Sequence, residues 1–225
     1  MFLIIETATS RGLIALCSND KIIAQTELLL GLSNSRALEP ALQRLLQEAR
    51  VLPRSLQFVA VGQGPGSYTG LRVGAASAKA IAVGGNIPLV GLNSLRGFLP
   101  PDDFVGSFVA AIDAKIGGVY TLRGNKTHDG VTFDDEERLT PFEEFEEILN
   151  TIDAIATPGW ELLQKRLKNS FNKKVFEVGP SAQQLFLESK NKFENKEYSV
   201  DGSLPLLYLR LTQAEMEKLP NKDQV

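Results

Sequence analysis

Between residues 62 and 74 the chain reads Gly62-Gln63-Gly64-Pro65-Gly66-Ser67-Tyr68-Thr69-Gly70-Leu71-Arg72-Val73-Gly74, a run that few backbones can carry. It follows an apolar strand-like segment, Phe58 to Val61, and leads into helical spacing over Thr69 to Val83. Glycine accepts positive φ, so a sharp strand-to-helix turn is expected, with Ser67 or Thr69 capping the first free amides. Those amides and the helix dipole make such a junction an anion site in principle. The spacing excludes the two standard phosphate loops. No register supplies the Gly-Lys-Ser/Thr of a P-loop, and the dinucleotide fingerprint needs a third glycine where Thr69 stands. What remains is a helix on which Gly70, Gly74, Ser77 and Ala78 recur every three or four residues and leave room for close approach by another backbone. Two neighbours compete for that stripe on equal terms, the chain's own sheet and a second protein. Ala75, Ala76, Ala80, Ile81 and Ala82 make the helix apolar nearly all round, so burial on most sides is expected.

The 225 residues are 43% hydrophobic and 23% charged, which excludes global disorder and suffices for one large or two small cores. A formal net charge of -3 provides no general attraction for nucleic acid, so RNA binding by this chain alone is not expected. Cys17 is the sole cysteine and lies in a strand-like run, Leu13 to Ser18; it has no partner for an internal disulfide and is expected to pack. The apolar runs are too short for a membrane span, and the start, Met1 to Glu6, lacks the basic flank of a signal peptide. A cytoplasmic location with no membrane contact is the expectation.

The first residues predict an antiparallel meander, Phe2 to Glu6, Leu13 to Ser18 and Ile22 to Leu30, followed by a helix from about Ser35 that ends before Pro53. Pro100-Pro101-Asp102-Asp103 is the best boundary in the chain. Beyond it, strands are predicted at Ser107 to Ile112, Val119 to Arg123 and near Val131, with helical or mixed elements at Phe142 to Leu149, Trp160 to Lys168 and Ala182 to Ser189. Two units that each begin with hairpins and end in helices predict a duplicated α/β plan, residues 1–100 and 101–225.

The glycine block, the opening Ile4-Ile5-Glu6-Thr7-Ala8-Thr9, the segment Ile112-Asp113-Ala114-Lys115-Ile116-Gly117-Gly118-Val119-Tyr120 and the late Leu207-Tyr208-Leu209-Arg210 together resemble the TsaB family, also called YeaZ, of the TsaD and glycoprotease-like superfamily. The resemblance implies two domains of the actin, sugar-kinase and Hsp70 type, each a mixed sheet flanked by helices, with the last segment packing back on the N-terminal domain. It implies a noncatalytic accessory role in making the threonylcarbamoyl group on the tRNA adenosine next to the anticodon. The partners implied are the metal-binding catalytic subunit TsaD and the ATPase TsaE, with a homodimer in isolation and tRNA met only through the complex. ATP is implied, if anywhere, at a subunit interface, and no cofactor is expected on this chain alone. On this reading the partner and dimer interface comprises Gly66, Tyr68, Thr69, Gly70, Arg72, Val73, Gly74, Ser77 and Ala78.

The residues agree with the absence of catalytic and metal-binding groups. The paired histidines of a metal-dependent transferase are missing, since the only histidine, His128, stands in the polar turn Lys126 to Gly130. Where relatives of the family often carry a histidine ahead of the first helix, this chain has Asn34. A peptidase would have to recruit His128 to a serine or to Cys17 with no supporting motif, and it is the weakest alternative. The sharper alternative is an ATP-dependent, kinase-like enzyme. Enzymes of this fold place an acid at the end of the first strand to position magnesium, and Glu6, Thr7 and Thr9 occupy that place. Glu6 is longer than the usual aspartate and Ala8 carries a Cβ where phosphate would approach, so a simple strand-end turn is favoured. Asp113 with Lys115, and Arg72, have structural readings as a turn tie and a helix-start contact. The acidic runs Asp134 to Glu137 and Glu143 to Glu147 read as solvated faces.

Overall fold

Alternation along the first strand decides the layering. In β1 (Phe2–Glu6) all five residues are buried, with Phe2 and Ile4 entering one core cluster and Leu3 and Ile5 another, so the sheet is covered on both faces. The same division runs through β2 (Arg11–Cys17), where Ile14 and Leu16 face one way and Leu13, Ala15 and Cys17 the other. The computed structural model describes residues 1–29, 34–134, 136–168 and 170–209, with backbone alone at 34 and 35. The Asn34 side chain, Leu30 and Arg210 therefore lie outside the described atoms.

The meander of β1, β2 and β3 (Ile22–Leu29) forms as expected, each strand antiparallel to the next. After α1 (Asn34–Glu48), β4 (Val59–Gly64) adds parallel to the other side of β1; after α2 (Tyr68–Gly85), β5 (Leu89–Asn93) adds parallel to β4. The order is β3-β2-β1-β4-β5. The second sheet repeats the plan. There β6 (Gly106–Asp113), β7 (Val119–Thr127) and β8 (Gly130–Phe133) are successively antiparallel, and β10 (Ala154–Thr157) and β11 (Lys174–Glu177) add in parallel on the other side of β6, giving β8-β7-β6-β10-β11. A short β9 (Arg138–Thr140) also pairs with β7. Two mixed sheets of one topology, flanked by helices, make the fold an actin-like pair.

Differences from the sequence reading have local causes. Strand β10 is four buried residues, Ala-Ile-Ala-Thr, too short and uniformly apolar to show a period, and its edge neighbour β11 is equally short. Helix α3 (Phe142–Thr151) runs two residues beyond Leu149, to Thr151. Helix α4 (Trp160–Gln164) stops before Lys168, the Arg166 and Leu167 amides turning to carbonyls three residues back, while the Arg166 side chain donates to Asp113 at 2.6 Å and covers the Phe142 ring at 4.0 Å. Helix α5 (Ala182–Glu194) continues past Ser189, because Phe193 returns its apolar face to the core by stacking on Phe58 at 4.3 Å.

The last helix crosses back. Leu185 and Phe186 of α5 join Phe2, Ile4 and Phe58 on the face of the first sheet opposite α1 and α2. The rings of Phe2 and Phe58 stack at 4.4 Å, and Phe186 lies 5.7 Å from Phe2. Between the sheets, the buried Lys126 ammonium ties β7 to the proline segment, donating to the Pro100 carbonyl at 2.7 Å and to Asp102 at 3.0 Å. Because α5 closes one side of the first core, Phe186→Ala should lower unfolding free energy by about 3–5 kcal/mol. Leu187→Ala, on the 51% exposed next position, should stay within about 0.5 kcal/mol, both read by urea denaturation.

Candidate functional site

The strand-to-helix junction is built around Thr7. Its buried hydroxyl donates to the Gly70 carbonyl at 2.8 Å, and Gly74, one turn on, leaves the space that Thr7 Oγ1 fills. Neighbouring glycines serve the same seam: a Cβ at Gly62 would enter the Glu6 carboxylate, and one at Gly66 would enter the Ala8 carbonyl. Gly64 takes φ +112 in the turn, before a cis bond to Pro65, and Ser67 caps α2 by accepting from the Gly70 amide at 3.3 Å. The Ser67 amide in turn donates to the Ala8 carbonyl at 2.6 Å.

This geometry decides between the two neighbours of the small-residue stripe. Gly70, Gly74 and Ala78 are buried against the chain's own first sheet and are removed from the surface set inferred from sequence. Gly66, Val73 and Ser77 are half-buried, Gly66 against Ala8, Val73 against the core, and Ser77 donating its hydroxyl to Glu39 of α1. Tyr68, Thr69 and Arg72 are exposed. Five further positions of α2 are exposed and absent from that set: Ala76, Lys79, Ala80, Val83, which is 59% exposed, and Gly84. The signal was available, because Arg72 and Lys79 mark the outward phase of the helix and Ala76, Ala80 and Val83 share it. Beside this face lies a groove of about 500 Å³ lined by Leu52, Pro53, Arg54, Ala80, Ile81 and Gly84.

The hairpin that a kinase-like reading would use is closed on itself. Glu6 Oε1 accepts the Ala8 amide at 2.6 Å, Thr7 is committed to Gly70, and the Thr9 hydroxyl donates to the Arg11 carbonyl at 2.7 Å while accepting the Arg11 amide at 3.2 Å. All three side chains are buried. Burial pushes the Glu6 carboxyl up to about 7, against the lowering effect of the Ala8 amide and the adjacent Ser94 hydroxyl. Glu6 Oε2 and Ser94 Oγ are both buried without a well-formed hydrogen bond. Nearby Glu188, on α5, is likewise raised by burial; its Oε1 accepts the Asn93 amide at 3.2 Å, and Asn93 Nδ2 donates to Glu137 at 2.6 Å. Glu137 therefore leaves the solvated acidic face expected for its run.

The remaining candidates resolve as structure. Asp113 accepts the Lys115 amide at 2.8 Å and the Arg166 guanidinium, so it ties a turn and shows no acid and base geometry. His128 is exposed in the turn between β7 and β8. Cys17 is buried, its thiol pushed up to about 12 by desolvation. Among the described residues no three His, Cys, Asp or Glu side chains converge to hold a metal, and no helix is long and apolar enough to cross a membrane.

The folding pattern and its inward-facing glycine junction define a two-unit α/β protein of the actin-like class. The family model described as TsaD, tRNA N6-adenosine threonylcarbamoyltransferase, matches residues 33–150, and the chain belongs to that family. Among characterised proteins it is similar to the tRNA threonylcarbamoyladenosine biosynthesis protein TsaB of Bacillus subtilis, 34% identical over 53% of this chain and 52% of that one. It is also similar to the protein of the same description from Escherichia coli, 30% identical over 60% and 59%. The chain thus spans about half the length of the curated relatives it matches. Among solved structures, YeaZ from Pseudomonas aeruginosa superposes with a TM-score of 0.76 at 21% identity, over 92% of this chain and 98% of that one, which shows a shared fold.

Two outcomes test the site. Gly74→Ala pushes a methyl into Thr7 and should cost about 1–3 kcal/mol, whereas Gly84→Ala, where a Cβ meets open space, should gain up to about 1 kcal/mol from helix propensity, both read by denaturation. Glu6 releases its proton near its ordinary 4.5 when unfolded and near 7 when folded. Between those values the folded state holds the extra proton, so stability falls as pH rises from about 4.5 to 7, by up to roughly 3 kcal/mol, and this group adds nothing further above 7. Glu188 adds a slope of the same sign, so the measurement is the difference between wild type and Glu6→Gln in urea denaturation across that window. The variant should show the smaller loss.

Proposed function

We propose that this chain is a noncatalytic accessory subunit that docks a threonylcarbamoyltransferase subunit, TsaD, through the outward face of α2, in the synthesis of threonylcarbamoyladenosine on tRNA. The observation that carries the reading is the division of α2. One side is locked to β1 through Thr7, Gly70 and Gly74, and the other presents Arg72, Ala76, Ala80 and Val83 beside an apolar groove. An exposed row of small residues lets a partner helix approach closely and gain many dispersion contacts over a modest area. The names of the relatives support the pathway, since they describe a biosynthesis protein of this modification. The self-satisfied hairpin at Glu6, Thr7 and Thr9 supports an absence of nucleotide chemistry on this chain alone. On the same reading the ATPase TsaE joins the assembly, a homodimer uses the α2 face when TsaD is absent, and tRNA is met through the complex.

Size-exclusion chromatography with light scattering, on the chain alone and mixed with the transferase subunit of the same cell, tests this. A one-to-one species is expected at the expense of any self-dimer, and Ala80→Glu should weaken it about tenfold or more without unfolding the chain. An unchanged elution after mixing, or an Ala80→Glu variant that assembles normally, contradicts the proposal.

A further inference from the structure

After α5 the chain returns along the first unit as a strap, residues 199–208, that reaches the glycine junction. Ser199 and Leu89 exchange backbone hydrogen bonds of 2.9 and 3.0 Å, Gly202 packs on Lys79 and Val83 of α2, and the Leu207 amide donates to the Gln63 carbonyl at 2.8 Å. Tyr208 then sets its ring 5.1 Å from that of Tyr68. Arg72 completes the group: its Nε donates to the Tyr208 hydroxyl at 3.2 Å and its guanidinium covers the Tyr68 ring at 4.0 Å. Both tyrosines keep about two-fifths of their surface exposed, 38% for Tyr68 and 42% for Tyr208.

Arg72 has no carboxylate within ion-pair distance among the described residues, and what sets it apart is the pair of tyrosines it touches. Its Nε is engaged while its two Nη atoms have no partner among the described residues. A guanidinium contacted at its Nε edge and on one face still presents its two Nη atoms outward, and those donors match a carboxylate in bidentate geometry. Tyrosine and arginine are also the side chains that dominate binding energy at protein interfaces.

Resting on the accessory-subunit reading, we propose that Tyr68, Arg72 and Tyr208 form an anchor that receives a carboxylate side chain of the protein partner docked on α2. The surroundings favour a protein carboxylate over an RNA phosphate. The chain is net negative, and Glu39 and Asp201 flank the same face, Asp201 beside Lys79. Interspersed with the cations Arg54, Arg72 and Lys79, these acids make the face mixed in sign, so a polyanion finds no continuous run of cations to follow, whereas one carboxylate needs only the anchor.

The test is calorimetric titration of the intact chain into the transferase subunit at several salt concentrations, with Arg72→Ala, Arg72→Lys and Tyr208→Phe. Arg72→Ala should weaken binding about tenfold or more and flatten its salt dependence. Arg72→Lys should recover only part of the loss because an ammonium is a point charge, and Tyr208→Phe, which keeps the ring and loses the tether, should fall in between. Arg72 is exposed, so the variants should melt with the wild type. If the wild type binds and Arg72→Ala binds equally well with the same salt dependence, the anchor is refuted while the accessory role stands. If the wild type itself does not bind, the accessory role fails and the anchor with it. If Arg72→Ala assembles normally but the assembled complex captures less tRNA, the site belongs to phosphate and the carboxylate proposal falls.

Discussion

The hydrogen bond from Thr7 to the Gly70 carbonyl, 2.8 Å long and buried, fixes how the first half of the molecule is assembled. It pins the first turn of α2 to the end of β1, and that approach is open only because Gly74 has no side chain to displace the threonine hydroxyl. Once the helix is pinned, the residues on either side of Thr7 are placed as well. The Ala8 carbonyl must take the Ser67 amide, and the Glu6 side chain must turn into the space left by Gly62. Three consecutive residues of the first turn are thereby consumed by one seam between strand and helix.

That seam has a chemical consequence. A loop that cradles phosphate keeps its amides and hydroxyls free for the ligand, and a helix N-terminus offers its amides only while no side chain has taken them. Here Ser67 caps the helix, Glu6 holds the Ala8 amide and Thr9 closes on Arg11. A buried carboxyl titrating near 7 beside Ser94 belongs to the same closed region, sealed from below by α5. The side chains of Glu6, Thr7 and Thr9 are turned inward, whereas the outer face of α2 and the groove beside it are open, and it is these that the docking proposal uses.

Much of the architecture was legible because β1, β2 and β3 carry long buried or alternating runs, and because α1 and α2 keep helical spacing over many turns. The glycine block also announced a close approach. What it could not announce was direction. Glycines every four residues mark one stripe of the helix but not which neighbour fills it, and the answer depended on Thr7, more than sixty residues earlier. Charged residues carried the missing information, since Arg72 and Lys79 fix the phase that faces water. The short parallel strands β10 and β11 and the continuation of α5 to Phe193 were hidden for a related reason. Each is defined by partners distant in sequence, the strands by β6 and the phenylalanine by Phe58. The pairing of Tyr208 with Tyr68 and Arg72 is of the same kind.

Hydroxyl-radical footprinting of the chain, free and in the presence of the transferase subunit, tests the division of α2 most directly. At dilutions where light scattering shows the free chain to be a monomer, Tyr68, Val83, Leu52 and Tyr208 should react and should lose reactivity in the mixture, while Ile116 and Leu162, exposed on the second unit, should react equally in both. Protection confined to Ile116 and Leu162, with the α2 face unchanged, would contradict the assignment of that face as the docking surface.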